Sequence, residues 1–228
     1  MKQVKLTIIG AGSDLIEPLI NNKYEGINIQ KITRSQWDLS ETIPSQKLIS
    51  EIISFAPNQL LFAAGVNKKI ELNDIKNEDL ICLINNHLSI NCVSLISIVH
   101  LLQSNLANKL DAVHAISSLY GLYGRKNRLP YSVSKHALEA SIKCLALEYP
   151  ETQFMGYRPG FFKTKLTSSN LTKEMQDELC KRIGKKRFGT PLEMSKVLLN
   201  NIRSTNPYQT GTFITVDGGM ISGGIFDS

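Results

Sequence analysis

The sequence predicts an α/β fold in a single domain over residues 1–228: a doubly wound parallel sheet of six to seven strands between two layers of helices. Two observations support this prediction. Short apolar segments alternate along the chain with longer segments whose apolar residues recur at helical spacing. Several of the short segments are apolar throughout, as expected of strands covered by helices on both faces. No linker or repeat divides the chain, and its 228 residues suffice to bury a full core.

The first half of the chain contains three predicted strands. Residues 4–9 form the first strand and lead through a glycine turn into a short helix. Residues 27–32 alternate apolar and polar side chains and form the second strand. A helix with regularly spaced apolar residues lies between Pro44 and Pro57, and the continuously apolar residues 60–64 form the next strand.

The second half continues the alternation of helix and strand. A long apolar helix is predicted at residues 80–103, and a short buried strand at residues 112–118 follows it. Residues 131–149 form the next helix, a strand precedes Pro159, and residues 212–216 form the last strand. We expect parallel pairing because helical segments alternate with the strands.

Composition argues against several classes of protein. The formal net charge is +6, but the basic residues are scattered, and no basic helix or aromatic ladder predicts nucleic-acid binding. No apolar stretch approaches the roughly 20 residues needed to cross a bilayer, so no membrane association is predicted. The four cysteines lack metal-ligand and redox spacing, which predicts reduced core thiols, no metal site and a cytoplasmic protein.

The most informative motif joins a serine, a tyrosine and a lysine. Tyr131 follows Ser118 by thirteen residues, and Lys135 follows Tyr131 by four. A tyrosine and a lysine four residues apart lie on one face of a helix, so the ammonium can lower the pKa of the phenol. A serine hydroxyl from a neighbouring strand end can hold a substrate oxygen against that phenol. These groups suit the reduction of a ketone or the oxidation of an alcohol.

Further motifs surround this one in a fixed order. They are a glycine-punctuated loop at Gly121 and Gly124, a turn at Pro159-Gly160 followed by Thr164, and the segments Thr210-Gly211 and Val216-Asp217-Gly218-Gly219. Together with the serine, tyrosine and lysine, these motifs resemble the classical short-chain dehydrogenase/reductase family over nearly the whole chain. The resemblance implies a Rossmann-like fold, a nicotinamide dinucleotide cofactor and a small-molecule alcohol or carbonyl substrate.

The resemblance also implies four catalytic residues, which are Asn91, Ser118, Tyr131 and Lys135. In this family the tyrosine exchanges the hydroxyl proton, the lysine holds the nicotinamide ribose, the serine holds the substrate oxygen, and the asparagine keeps a water in the proton path. Asn91 precedes Ser118 by 27 residues, which matches the family, whereas Asn85 and Asn86 are nearby alternatives. Ser117 is the alternative serine, but it lacks the spacing of thirteen.

The glycine turn after the first strand is the expected place for the pyrophosphate of a dinucleotide. Gly10 supplies the tight turn, but the family pattern Gly-x-x-x-Gly-x-Gly meets Asp14 and Ile16 at its second and third glycines. Likewise, Phe62-Ala63-Ala64-Gly65 replaces the usual Asn-Asn-Ala-Gly. The cofactor-binding residues implied by the resemblance are Gly10, Gly12, Ser13, Asp14, Leu15, Ile16, Arg34, Ser35, Asp38, Leu39, Ala63, Ala64, Gly65, Tyr131, Lys135, Pro159, Gly160, Phe162 and Thr164.

The end of the second strand distinguishes between the two nicotinamide cofactors. It carries Arg34 and Ser35, and no carboxylate occurs before Asp38. An arginine pairs with a 2′-phosphate, whereas a carboxylate would accept hydrogen bonds from a 2′-hydroxyl. NADP(H) is therefore favoured, and NAD(H) stays possible. The segment before Asp38 is shorter than in the family, so residues 36–39 are at best a stub of the third strand.

These observations predict an NADP(H)-dependent oxidoreductase that interconverts a secondary alcohol and a ketone, in a homotetramer or homodimer. Two alternatives stay open: a non-catalytic dinucleotide-binding sensor or scaffold, and an epimerase or dehydratase acting on a sugar derivative. A loop at about residues 161–185 should cover the substrate. Five basic residues are expected around the mouth of the cleft, where they could attract an anionic substrate: Arg125, Lys126, Arg128, Lys163 and Lys165.

Overall fold

The computed structural model describes residues 3–165, 167 and 171–224, and its centre is a six-stranded parallel sheet in the order β2-β1-β3-β4-β5-β6. The strands are β1 (Val4–Ile9), β2 (Ile27–Ile32), β3 (Gln59–Phe62), β4 (Ala112–Ile116), β5 (Gln153–Pro159) and β6 (Thr212–Val216). This topology confirms the predicted α/β fold. Because the strands are parallel, the loops at their carboxyl ends lie along one edge of the sheet.

Helices connect the strands. They are α1 (Glu17–Asn21), α2 (Gln46–Phe55), α3 (Asn77–Leu88), α4 (Ser94–Asn105), α5 (Leu129–Glu148), α6 (Lys173–Arg182) and α7 (Pro191–Arg203). A 3₁₀ turn at Asp14–Ile16 leads into α1, and a π-helical turn at Ser89–Val93 joins α3 to α4.

Helices α6 and α7 lie outside the elements predicted from the sequence. At the start of α7, Oγ1 of Thr190 accepts a hydrogen bond from the backbone N–H of Glu193 at 3.3 Å. In return, Oε2 of Glu193 accepts the backbone N–H of Thr190 at 2.8 Å. This Thr-x-x-Glu capping box, with Pro191 in the first turn, is a sequence signal that would have predicted α7.

A hydrophobic core lies on each face of the sheet. On one face, Phe62 of β3 belongs to a cluster with Ile98 of α4 and Leu138 of α5. On the other face, Leu61 of β3 belongs to a cluster with Leu198 of α7. Successive residues of β3 therefore serve opposite faces, which explains why this strand is apolar throughout. The result is the predicted three-layer α/β/α arrangement.

The sheet ends at β2, and a turn follows where a third strand was considered. The backbone N–H groups of Gln36 and Trp37 both donate to the carbonyl oxygen of Thr33 at 3.1 Å. Trp37 is buried, and its indole N–H donates to the carbonyl oxygen of Glu41 at 2.7 Å. Residues 36–39 thus pack on the core and do not extend the sheet. Of the predicted six to seven strands, the described residues form six.

One long helix departs from the sequence expectation. The continuous helix Asn77–Asn105 is long and apolar enough, by length and composition, to cross a membrane. In the fold, however, Leu95, Ile98 and Val99 are buried in the core. A core helix passes the same test of length and composition, so the finding is weak evidence for a membrane.

The cysteines also differ from their predicted setting. All four are free thiols, and Cys92 is buried as predicted. Cys82 and Cys144 are exposed, so the prediction of core thiols is wrong for both, because they lie on the solvent-facing sides of α3 and α5.

Candidate active site

A cleft of about 770 Å³ runs along the carboxyl ends of the strands. Most of the predicted site residues line it, namely Gly10, Gly12, Ser13, Asp14, Leu15, Arg34, Asp38, Leu39, Ala63, Ala64, Gly65, Ser118, Tyr131, Lys135, Pro159, Gly160, Phe162 and Thr164. Three predicted residues, Ile16, Ser35 and Asn91, do not line it. The fold therefore brings together residues from five separate loops and from the start of α5.

Ser118 and Tyr131 meet at one end of the cleft. Ser118 follows β4 and caps a 3₁₀ turn, with its Oγ accepting the backbone N–H of Tyr120 at 3.2 Å. Tyr131 is half-buried in the first turn of α5, where Pro130 has the fixed φ that suits a helix start. The Ser118 side chain lies close enough to the Tyr131 hydroxyl to lower its pKa. The fold thus brings the two residues, thirteen apart in sequence, to the same end of the cleft.

The acid–base properties of Tyr131 differ from the sequence prediction. Burial disfavours the phenolate and raises the pKa of Tyr131 to about 12, although Ser118 acts in the opposite direction. Nζ of Lys135 lies 5.8 Å from the centroid of the Tyr131 ring. The predicted lowering of the tyrosine pKa is therefore wrong for this structure, because burial outweighs the lowering effects of Ser118 and Arg128.

Lys135 is fixed inside the site. Its side chain is 2% exposed, and Nζ donates a hydrogen bond to the carbonyl oxygen of Ile116 at 2.8 Å. Burial lowers the pKa of Lys135 to about 8, while Cys92 and Glu139 act in the opposite direction. A Cβ atom on Gly65 would lie only 3.5 Å from Nζ, so the loop after β3 borders the ammonium.

Asn91 lies in the π-helical turn and is fully buried. Its Oδ1 accepts the backbone N–H of Val66 at 2.8 Å, and its Nδ2 donates to the carbonyl oxygen of Val66 at 3.0 Å and to Oγ of Ser134 at 2.8 Å. These bonds tie the loop after β3 to the helix that carries the tyrosine. Asn85 and Asn86 border a separate depression on the surface. The structure thus places Asn91 beside the site, and irregular helical turns are frequent at such positions.

The glycine turn approaches the loop after β3 closely. Gly10 has a φ of +81°, and a Cβ atom there would meet the backbone nitrogen of Ala64 at 2.5 Å, so only glycine fits. A Cβ atom on Gly12 would meet nothing within 4 Å. The glycine turn therefore meets the loop after β3 at Gly10. The Ile16 side chain is buried in the core, and its N–H donates to the carbonyl oxygen of Ser13 at 3.2 Å.

Asp14, which replaces a family glycine, connects the glycine turn to the segment after β5. Its Oδ2 accepts the backbone N–H of Lys165 at 3.0 Å, and its Oδ1 lies 3.8 Å from Nζ of the same lysine. The negative charge in the turn is thus paired with a positive charge.

Arg34 and Asp38 form an ion pair at the far end of the cleft. Nη2 of Arg34 lies 3.2 Å from Oδ2 of Asp38, and the arginine side chain is 83% exposed. Hydrogen bonds from the backbone and side chain of Ser40, followed by Arg34, lower the pKa of Asp38. Ser35 does not line the cleft and instead hydrogen-bonds to Oγ1 of Thr33 at 2.9 Å. Its predicted contact with the cofactor therefore has no support in the geometry.

A family model described as enoyl-(acyl carrier protein) reductase matches residues 58–221, which is more than half of the chain. The chain belongs to the short-chain dehydrogenase/reductase family. The resemblance seen in the sequence and the expected membership of a family of oxidoreductases are thereby confirmed.

Individual relatives are more distant. The 5-keto-D-gluconate 5-reductase of Escherichia coli (strain K12) is 32% identical over 101 residues, which cover 43% of this chain and 40% of that protein. The 3-oxoacyl-(acyl-carrier-protein) reductase FabG of Buchnera aphidicola subsp. Baizongia pistaciae (strain Bp) is 28% identical over 226 residues, covering 94% and 86%. A gluconate 5-dehydrogenase from Burkholderia cenocepacia J2315, crystallised with NADP and tartrate, superimposes with a TM-score of 0.79 at 18% identity, covering 97% and 96%.

The substrate end of this short-chain dehydrogenase/reductase contains side chains that the sequence analysis did not single out. They are Asn67, Leu119, Tyr120, Phe161 and Leu171. The two aromatic residues occupy loops after β4 and β5, and aromatic side chains in such loops are a signal for this part of the site. Part of the expected covering loop, residues 166 and 168–170, lies outside the described residues, and α6 follows it.

The five basic residues expected at the cleft mouth separate into two groups. Arg125 and Arg128 line the cleft, and Lys165 lines it while paired with Asp14. Lys126 and Lys163 are exposed and do not line it. The expectation is therefore wrong for these two lysines, because their loops direct them to solvent.

Proposed function

We propose that the protein is an NADP(H)-dependent oxidoreductase that interconverts a secondary alcohol and a ketone by hydride transfer. The observation that best supports this function is the proximity of Ser118 and Tyr131 on the cleft wall, with Lys135 one helical turn beyond the tyrosine. A proton donor next to a second hydroxyl is the arrangement that carbonyl reduction requires.

Each side chain has a separate role in the proposed reaction. Bound NADP(H) would supply the hydride for reduction or accept it in oxidation. Ser118 donates a hydrogen bond to the substrate oxygen, and Tyr131 gives that oxygen its proton in reduction and takes it back in oxidation. Lys135 stabilises the phenolate that forms. A pKa of about 12 keeps the Tyr131 phenol protonated at neutral pH, and this is the form needed for reduction.

Asn91 has a positioning role in this proposal. Its amide holds both backbone groups of Val66 and so fixes the loop that borders the Lys135 ammonium. Because this amide is occupied by protein groups, we propose that the backbone at Asn91 keeps the water of the proton path in place.

The opposite end of the cleft fits a dinucleotide. Gly10 keeps the floor of the cleft open where a Cβ atom would collide with the backbone of Ala64, and Gly65 borders Lys135. Arg34 offers a guanidinium for a 2′-phosphate, which supports NADP(H) over NAD(H). Asp14 acts against this fit because its carboxylate lies in the turn expected to hold the pyrophosphate, although Lys165 offsets the charge.

A carbonyl screen tests the proposal. The purified protein is incubated with NADPH and a panel of ketones, including sugar acids and acyl thioesters, and the loss of NADPH absorbance is recorded. NADPH binding is measured separately by fluorescence titration. We expect tight NADPH binding and reduction of at least one ketone. A protein that binds no dinucleotide would contradict the proposal outright.

A non-catalytic dinucleotide-binding sensor or scaffold is the second candidate. The replacement of a loop glycine by Asp14 and the absence of asparagines at Phe62 and Ala63 favour it, because these changes loosen the cofactor site. NADPH binding without reduction of any ketone in the screen would support this candidate.

We also propose a cytoplasmic homotetramer or homodimer. Both long helices expose apolar side chains, with Val93 and Ile96 at the π-helical turn and α4, and Val133 and Leu147 on α5. Such side chains are expected where helices of a second copy pack against them. Light scattering after gel filtration measures the assembly, and a monomer at every concentration would contradict this part of the proposal.

A further inference from the structure

Two arginines occupy the substrate end of the cleft. Arg125 and Arg128 lie in the loop between β4 and α5, a few residues before Tyr131, and both are half-buried. The Arg128 guanidinium is close enough to interact electrostatically with Arg125 and with Tyr131. The loop that precedes the proposed proton donor therefore also carries two positive charges.

Neutral groups hold both guanidiniums. Nη1 of Arg128 donates to Oδ1 of Asn67 at 3.0 Å. Arg125 donates to the hydroxyl of Tyr120, and its Cζ lies 5.3 Å from the Tyr120 ring centroid and 5.8 Å from that of Phe161. Each guanidinium carries five N–H donors, so these contacts account for only a few of them. Within residues 3–165, 167 and 171–224, neither arginine forms an ion pair with a carboxylate.

This pair of like charges is unfavourable by itself. Burial lowers the pKa of Arg128, and the neighbouring Arg125 lowers it too. Two partly desolvated cations repel each other, and an anion between or beside them would relieve that repulsion. Aromatic and amide groups contact the arginines, which favours an arrangement already suited to such a partner.

Negative charge is found at the other end of the cleft. The acidic side chains that line its described part are Asp14 and Asp38. Each is paired, Asp14 with Lys165 and Asp38 with Arg34. The substrate end therefore carries an uncompensated positive charge in a half-enclosed space, where electrostatic attraction is stronger than at an open surface.

We propose that Arg125 and Arg128 form a carboxylate-binding subsite, so that the substrate is a keto acid or its hydroxy acid. This inference rests on the proposed function. The guanidiniums hold the carboxylate by charge-assisted hydrogen bonds, and the keto group reaches Ser118 and Tyr131. Arginine suits this task because its planar fork matches the two carboxylate oxygens.

The test compares keto acids with neutral esters of the same shape. Acetoacetate, levulinate and their methyl esters are titrated into the protein by calorimetry, and each is also assayed for NADPH-dependent reduction. At least one acid should bind roughly tenfold or more tightly than its ester, as expected for charge-assisted hydrogen bonds. This preference should weaken as salt is raised.

Three variants test which side chains cause the preference for acids over esters. Arg128→Gln and the double variant Arg125→Gln/Arg128→Gln should lose it, while retaining their affinity for the esters. Lys126→Gln is the matched control: it removes one positive charge from the same loop, but its side chain does not line the cleft, so the preference should persist.

The outcomes separate this inference from the proposed function. Equal binding of acid and ester to the unmodified protein overturns the subsite, and this comparison needs no variant to fold. A preference for acids that survives in the double variant also overturns it. Selective binding of acids without any reduction would sustain the subsite and refute the oxidoreductase. Equal reduction of acids and esters would support the oxidoreductase and overturn the subsite.

Discussion

The two ends of the cleft are built differently. At the proposed catalytic end, Asn91 and Lys135 are almost completely buried, and each is held by hydrogen bonds to backbone groups of the core. At the nucleotide end, the charged side chains are largely exposed to solvent: Arg34 is 83% and Lys165 is 93% exposed. Their partners, Asp38 and Asp14, are charged groups that compete with a phosphate for the same cations.

This difference distinguishes side chains whose positions are fixed by folding from side chains that can change their partners. Buried side chains bonded to the backbone have one geometry, and substituting them changes the chemistry or the fold. Exposed ion pairs contribute little to stability, so they can exchange one anionic partner for another. We therefore expect large effects of substitution on turnover at the catalytic end and small effects on cofactor affinity at the nucleotide end.

The largest effect is expected at Tyr131. Tyr131→Phe keeps the ring but removes the proton donor, so turnover should fall by roughly 10²–10⁴ with NADPH affinity nearly unchanged. Tyr149→Phe is the matched control, because this tyrosine follows the same helix and its hydroxyl contacts His100, away from the cleft. Unchanged turnover in Tyr131→Phe would contradict the mechanism, as would an equal loss in the control.

An effect of intermediate size, on the affinity for NADPH, is expected from the ionisation of Lys135. A lysine is charged below its pKa, and burial lowers the pKa of Lys135 to about 8. The ammonium that would attract the cofactor is therefore present below pH 8 and lost as pH rises above it. The dissociation constant of NADPH should be flat below this pH and increase above it, by roughly tenfold per pH unit at most.

Two variants check the origin of that profile. Lys135→Met should bind NADPH weakly at every pH, whereas Lys143→Met, which removes an exposed lysine from the same helix, should keep the profile of the unmodified protein. An NADPH affinity that stays constant from neutral to strongly alkaline pH would show that the Lys135 charge does not contribute to binding.

The smallest effect is expected at Arg34. Because this guanidinium is exposed, Arg34→Ala should weaken NADPH binding only about fivefold to tenfold and leave NADH binding unchanged. Asp38→Asn removes the competing carboxylate and should strengthen NADPH binding. Lys31→Ala is the matched control for loss of charge, since this exposed lysine lies on β2 outside the cleft. Equal affinity for NADPH and NADH before any substitution would refute the preference.

Several features could be predicted from short stretches of sequence, because they depend on residues that are close together in the chain. The bounds predicted for β1, β2 and β6 agree with the structure, since their composition and the turns beside them are local signals. The spacing of Ser118, Tyr131 and Lys135 was equally informative, because a helix fixes the relation of residues four apart. By contrast, α6 is polar and has no buried residue, so no apolar periodicity could reveal it.

The sequence by itself determined the succession of the six strands, the serine–tyrosine–lysine motif and the tight turn at Gly10, since each depends on residue type and spacing. Only the tertiary structure decided that Ile16 turns into the core, that burial raises the pKa of Tyr131, and that three of the five candidate cations line the cleft. The physical reason is that burial and electrostatic interaction depend on distances between segments far apart in the chain, and those distances exist only after the sheet has assembled.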